Sequence, residues 1–238
     1  MSKGPGSRHF AAQIRRNQEL AAKAADSGIR PALMGLQRWQ QARLRQTYAD
    51  LEAQPRFSAA CVFFVEELYG GRDAELRDSQ LARAAPVMQG MMPDHLLLAI
   101  GEALHLQAIS LELDMELAGY LPDCQRISQP EYAGAYRRMD AWAEREEQIQ
   151  LIGKLGRLLE ETVRKRFVHG LVHLMQKPAR VAGFGRLQEF IEHGLDAFAA
   201  MDGAEEFIAT IEQRERRALE AMRRGSDWPF EPWIGRGP

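Results

Sequence analysis

The apolar residues of this chain recur at helical spacing from one end to the other, and nothing interrupts that pattern with the alternation of a strand. No Asn-Gly or Asp-Gly pair sits between β-branched runs, so there is no hairpin signal either. A chain patterned in this way can bury its apolar faces only by packing helix on helix. With 238 residues, 45% of them apolar, the core is large enough to need no disulfide or metal staple. The expectation is an all-α fold, a multi-helix bundle of about nine helices forming a single domain over residues 1–225, followed by an extended aromatic tail at 226–238.

Breakers and caps divide the pattern. A first helix spans about Arg8 to Ala25 before Asp26-Ser27-Gly28, and a second carries Pro31 in its first turn and stops at Pro55. A third runs from Phe57 to Tyr69 through "FFVEELY" and closes at Gly70-Gly71. The fourth starts near Asp73, a plausible cap, and must end or kink at Pro86. Residues 93–118 make the longest helix, roughly 39 Å at 1.5 Å per residue. Ser128-Gln129-Pro130-Glu131 reads as a capping box. Beyond it, breaks are expected near 140–144, near 153–156 or at Arg166, with Pro178 opening a short segment. Asp202 and Glu205 suggest a second capping box for the last helix, which ends at Gly225.

Charge is spread unevenly. Nine basic against two acidic residues give positions 1–45 a net +7, and four against thirteen give positions 46–123 a net −9, within a total of −2. A basic arm beside an acidic centre could bind nucleic acid. The matched charge nearby and the lack of interleaved aromatics favour an intramolecular reading, so nucleic acid is not the expected partner. Cys61 and Cys124 have neither CxxC nor Cys/His spacing, which points away from disulfides and structural zinc and towards a reducing, cytoplasmic setting. Neither a signal peptide nor a membrane span is expected.

The segment "GEALHLQAISLELD" poses the sharpest question. On a helical wheel, Leu97, Ile100, Leu104 and Leu111 occupy one face, and Leu98, Leu106, Ile109 and Leu113 nearly the opposite one. A helix apolar on two sides is a central one. Its polar residues form two seams, Glu102, His105, Glu112 and Glu116 along one and Gln107, Ser110 and Asp114 along the other. Glu102-x-x-His105 places a carboxylate and an imidazole one turn apart, as metal sites in helical bundles do. Glu66 or Glu67 could add a carboxylate, yet no second Glu-x-x-His exists. The remaining histidines, His169-x-x-x-His173 and the Glu192-His193 pair, complete no ligand set. A haem needs only one axial histidine, which His105 could supply. Against both stands the simpler reading of an i,i+3 pair at a buried seam. No nucleophile elbow or phosphate loop is present, and Cys61 lies in an apolar run where a thiol is inert.

Trp228, Phe230 and Trp233, stiffened by Pro229 and Pro232, would be costly to leave in water. Either they latch onto the chain's own helices or they anchor a protein partner or a second copy.

The stretches "TYADLEAQPRFSAACVFFVEELYGGRDAELRDSQLARAAPVM", "ALHLQAISLELD" and "KPARVAGFGRLQEFIEHGLDAFAAMDGAEEFIATIEQRE" resemble a bacterial family of all-helical proteins of unknown function. The resemblance implies the helical fold and carries no activity or cofactor with it. The matched stretches hold Arg72, Asp73, Arg77, Asp78, Arg83 and His105, charges that could form a buried network setting the angles between the third, fourth and fifth helices, or could line a pocket. The sequence therefore supports a soluble helical binding or interaction module without catalysis. Its alternative is a metal- or haem-dependent oxidoreductase around Glu102 and His105.

Overall fold

The computed structural model describes residues 4–68 and 74–236, and these contain helices and no strand. In chain order the helices are α1 (Pro5–Asp26), α2 (Arg30–Thr47), α3 (Ala49–Glu52), α4 (Pro55–Val62), a π-helical stretch (Phe63–Leu68), α5 (Ala74–Met91) and α6 (Asp94–Tyr120). There follow α7 (Gln129–Met139), α8 (Trp142–Val163), α9 (Arg166–Val181), α10 (Gly185–Ala200), α11 (Glu205–Arg223) and α12 (Glu231–Ile234). The expected all-α bundle is what forms, with ten helices of eight residues or more among the described residues and two single turns.

The long central helix is α6. It packs against α1, α2, α5, α7 and α8 and joins two parts of the core. Leu97 and Leu104 meet Phe10 and Ile14 of α1, Leu81 of α5 and Leu187 of α10. Leu113 and Leu117 meet Leu36 of α2, Tyr132 and Tyr136 of α7 and Met222 of α11. A further cluster joins Tyr48, Phe57, Phe198, Met201 and Phe207 across α4, α10 and α11. The length and mean hydropathy of α6, 1.4 over its most apolar window, would also suit a membrane span, but half of that window is buried inside the protein, the position of a core helix.

Several boundaries differ from the sequence expectation for identifiable reasons. Pro178 lies inside α9 rather than opening a new segment, and Pro86 lies inside α5, where an end or a kink was expected. A proline removes one ladder hydrogen bond, and packing on both sides of it can hold the helix through the defect. Pro178 is only one turn from the end of α9, so little helix remains to be disrupted. The capping box at Ser128 forms as expected, Ser128 N–H donating to Glu131 Oε2 at 2.9 Å. The one expected at Asp202 does not. Asp202 is in the left-handed conformation (φ 48°) beside Gly203, and Ala204 takes the cap position without a side-chain bond. Asp140, also left-handed (φ 54°), makes the break between α7 and α8.

The start of α1 is tied down by α6. Gly6 and Ser7 N–H donate to the two carboxylate oxygens of Asp94 at 2.9 and 2.8 Å, so an acid at the start of one helix caps the start of another. A side chain at Gly6 would collide with the Asp94 carbonyl, and this close approach is why glycine stands there. Three basic residues of the first two helices meet acids of the same chain. Arg16 pairs with Glu112, Arg45 with Glu66 at 2.8 Å, and Arg43 with Glu215 at 2.5 Å.

The aromatic tail folds back. Phe230 is 1% exposed, between Trp39, Tyr132 and the Arg43 guanidinium, a burial of about 2–3 kcal/mol. Gln129 brackets it, accepting from Phe230 N–H at 3.1 Å and donating to Gly235 O at 2.8 Å. Pro232 sits in the first turn of α12, so this part of the tail is helical where an extended chain was expected. Trp233 packs partly buried under Arg214 and Arg217, and Trp228 under Arg236.

Candidate functional site

The two polar seams of α6 face different surroundings. Gln107, Ser110 and Asp114 border a cavity of about 1290 Å³, walled by α2, α5, α6, α8, α9, α10 and α11. Most of its wall is apolar, and methionines gather along it, among them Met34, Met88, Met91, Met92 and Met175. Met34, Val87 and Met91 are also exposed, Met91 to 65%, so this side opens to solvent.

At the other end the polar side chains are engaged with one another. Asp114 accepts from Gln40 Nε2 at 3.2 Å and lies 3.7 Å from Arg145 Nη2. Arg145 donates to Leu113 O at 3.2 Å and to Gln148 Oε1 at 3.0 Å, and Gln148 donates to Ser110 Oγ at 2.7 Å. Tyr132 donates to Tyr136 and accepts from Gln40. Burial keeps the Tyr136 phenol protonated far above the usual range, despite the Arg145 guanidinium over its ring. Arg43 pairs with Glu215, which also accepts from Tyr48 OH at 2.7 Å. Asp114 and Glu215 are matched by Arg145 and Arg43, so these two pairs present hydrogen-bonding groups without net charge.

Gln107 extends the network to α5, donating to Asp78 Oδ2 at 2.6 Å. Arg77 bonds Asp78 at 3.0 Å, donates to Glu67 O at 2.8 Å and stacks on Phe190. Arg83 stacks on Phe184. Arg77 and Asp78 thus tie α5 to α6 and to the π-helical stretch. Arg72 and Asp73 lie outside the described residues, and His105 takes no part in this network.

The other seam faces α1. Glu102, 8% exposed, is 3.6 Å from His9 Nε2 and 3.1 Å from Lys154 Nζ of α8. His9 and His105 rings meet edge to face at 5.9 Å. One donor atom from each of His9, Glu102 and His105 falls within 4.8 Å of the other two. Burial first, and Arg16 next, hold the His105 imidazole below its usual pKa and so favour its neutral form. Gly101 makes the approach possible, since a Cβ there would stand 2.6 Å from His9 Cδ2.

Of the residues singled out in the sequence, Glu102 and His105 are together, joined by His9, which periodicity gave no reason to select. Glu66 and Glu67 do not join them. Glu66 is held by Arg45, and Glu67 by His193 Nδ1 at 2.6 Å, both at the surface. His173 is exposed, and the side chain of His169 lies outside the described part. Phe230, a candidate partner anchor, is core. Cys61 and Cys124 are free and buried, burial pushing the Cys61 thiol up to about 12.

The model of one family, described as a domain of unknown function (DUF8198), matches residues 19–229, a span that takes in α2 to α11 and holds Glu102 and His105 but not His9. No curated protein and no solved structure matches the chain. With nearly the whole helical bundle inside that match, the chain belongs to the DUF8198 family.

Proposed function

We propose that this chain is a non-catalytic, cytoplasmic binding protein that holds an apolar small molecule with an uncharged polar end. The observation that carries the reading is the cavity of about 1290 Å³, mostly apolar in its lining, with the ion pairs Asp114–Arg145 and Glu215–Arg43 among the residues that line it. Ligand pockets of about 300–1,000 Å³ take drug-sized molecules, so this volume suits a long or bulky one. Unbranched thioether side chains adapt to irregular apolar shapes, which favours a class of ligands over a single shape. A charged headgroup is disfavoured because Asp114 and Glu215 already match Arg145 and Arg43.

Titration with the neutral fluorophore N-phenyl-1-naphthylamine tests this. Saturable binding is expected, displaced by a long-chain alcohol and lost at least tenfold in Ala103→Trp, which fills the cavity from its α6 wall. Absence of saturable binding, or binding indifferent to Ala103→Trp in a variant with unchanged helical signal, contradicts it. Glu102 and His105 lie outside the cavity lining and contribute nothing to this reading.

A further inference from the structure

Opposite the cavity, the seam between α1 and α6 holds donor atoms that the protein leaves without hydrogen bonds. Glu102 Oε2 and His9 Nε2 are both shielded from solvent and make no hydrogen bond. A buried carboxylate oxygen left in this state is destabilising, more so when charged. On the cavity side of the same helix, Asp114 and Ser110 are drawn into bonds. Something outside the protein would satisfy the α1 side.

We propose that His9, Glu102 and His105 bind a divalent first-row transition cation, zinc foremost, which clamps α1 to α6. Two imidazoles and one carboxylate are a donor set that zinc and iron(II) accept, leaving further positions for water. Bonds of about 2.0–2.1 Å bring ligand atoms to about 3.3 Å from one another. From separations of up to 4.8 Å, that contraction is within the reach of side-chain rotation. Glu102 and His105 are already one turn apart on a rigid helix, and Gly101 lets His9 approach.

Two cations stand against the site. Arg16 is already held by Glu112. Lys154 reaches Glu102 at 3.1 Å from a side chain 60% exposed, so its ammonium can swing into water when a metal arrives. Lys154 is thus a competitor, and its removal should tighten metal binding. A purely structural tie makes the reverse forecast, because Lys154→Ala would then weaken the seam and leave metal affinity unchanged.

The test uses full-length, tag-free, chelator-stripped protein, titrated with Zn²⁺ calorimetrically and with Co²⁺ by visible absorption. Expected are one equivalent bound, no competition from millimolar-scale Mg²⁺, a loss of at least tenfold in affinity for His9→Ala and for the near-isosteric Glu102→Gln, and a several-fold gain for Lys154→Ala. Circular dichroism confirms that each variant is folded. Failure to bind Zn²⁺, binding unaltered in folded Glu102→Gln and His9→Ala, or no gain in Lys154→Ala overturns the proposal.

Discussion

The two polar seams of α6 are built from similar residues and have opposite characters. Towards the cavity, Gln107, Ser110 and Asp114 are bonded to Asp78, Gln148, Gln40 and Arg145, so these buried groups hold one another in place. Towards α1, Glu102 and His9 sit close together with donor atoms unmet. Arg43 Nε on the cavity side, and Thr47 Oγ1, are unmet as well, so the contrast lies in the carboxylates: Asp114 is held by Gln40 and Arg145, whereas Glu102 Oε2 has no hydrogen bond and is open to a ligand. The difference separates what α6 does for the fold from what it offers to an ion, and it puts the proposed apolar ligand and the proposed cation on opposite faces of one helix.

The largest effect should come from breaking the closed side. Asp114→Ala leaves the Arg145 guanidinium, 4% exposed, without its carboxylate, and a loss of about 3–5 kcal/mol in urea unfolding is expected. A loss below ~1 kcal/mol would mean that the network is loose and the contrast unfounded. Next comes the contact that assembles the open side. Gly101→Ala forces His9 and the backbone at Phe10 away from α6, for an expected cost of about 1–3 kcal/mol together with loss of the Zn²⁺ response. Retained metal binding in that variant would show that the seam does not depend on close approach of α1.

The smallest effect concerns the tether that brings α1 to α6. Backbone N–H groups of Gly6 and Ser7 hold the Asp94 carboxyl below its usual pKa. A carboxyl with a depressed folded-state pKa contributes stability above its unfolded value of about 3.9, and that contribution disappears as pH falls through the folded value. The stability gap between wild type and Asp94→Asn should therefore be full near neutrality and close on acidification below about pH 4. A gap that persists unchanged into acid would remove Asp94 as the charged cap.

Much of this arrangement was legible before any coordinates. The wheel of α6 identified both seams because periodicity reports which residues share a face of one helix. It could not say what each seam meets. His9 lies 93 positions before Glu102 and belongs to a helix whose own pattern singles out only its apolar stripe. The one local hint was Gly101, a small residue inside a long apolar helix, where a close backbone approach is a usual reason for glycine. Pro178 misled because a breaker rule describes an isolated helix, and α9 is held by α10. Asp202 misled because its residue type suits both a cap and a left-handed turn. The cavity was invisible, since it arises from how far α5 and α9 stand from α6 and from no residue pattern.

The contrast between the seams is tested most directly by unfolding Asp114→Asn and Glu102→Gln side by side, both near-isosteric and both in metal-free buffer. The account predicts that Asp114→Asn loses about 2 kcal/mol or more and Glu102→Gln less than ~1 kcal/mol, because only the first carboxylate completes a bonded network. Equal losses, or a larger one at Glu102, would contradict it.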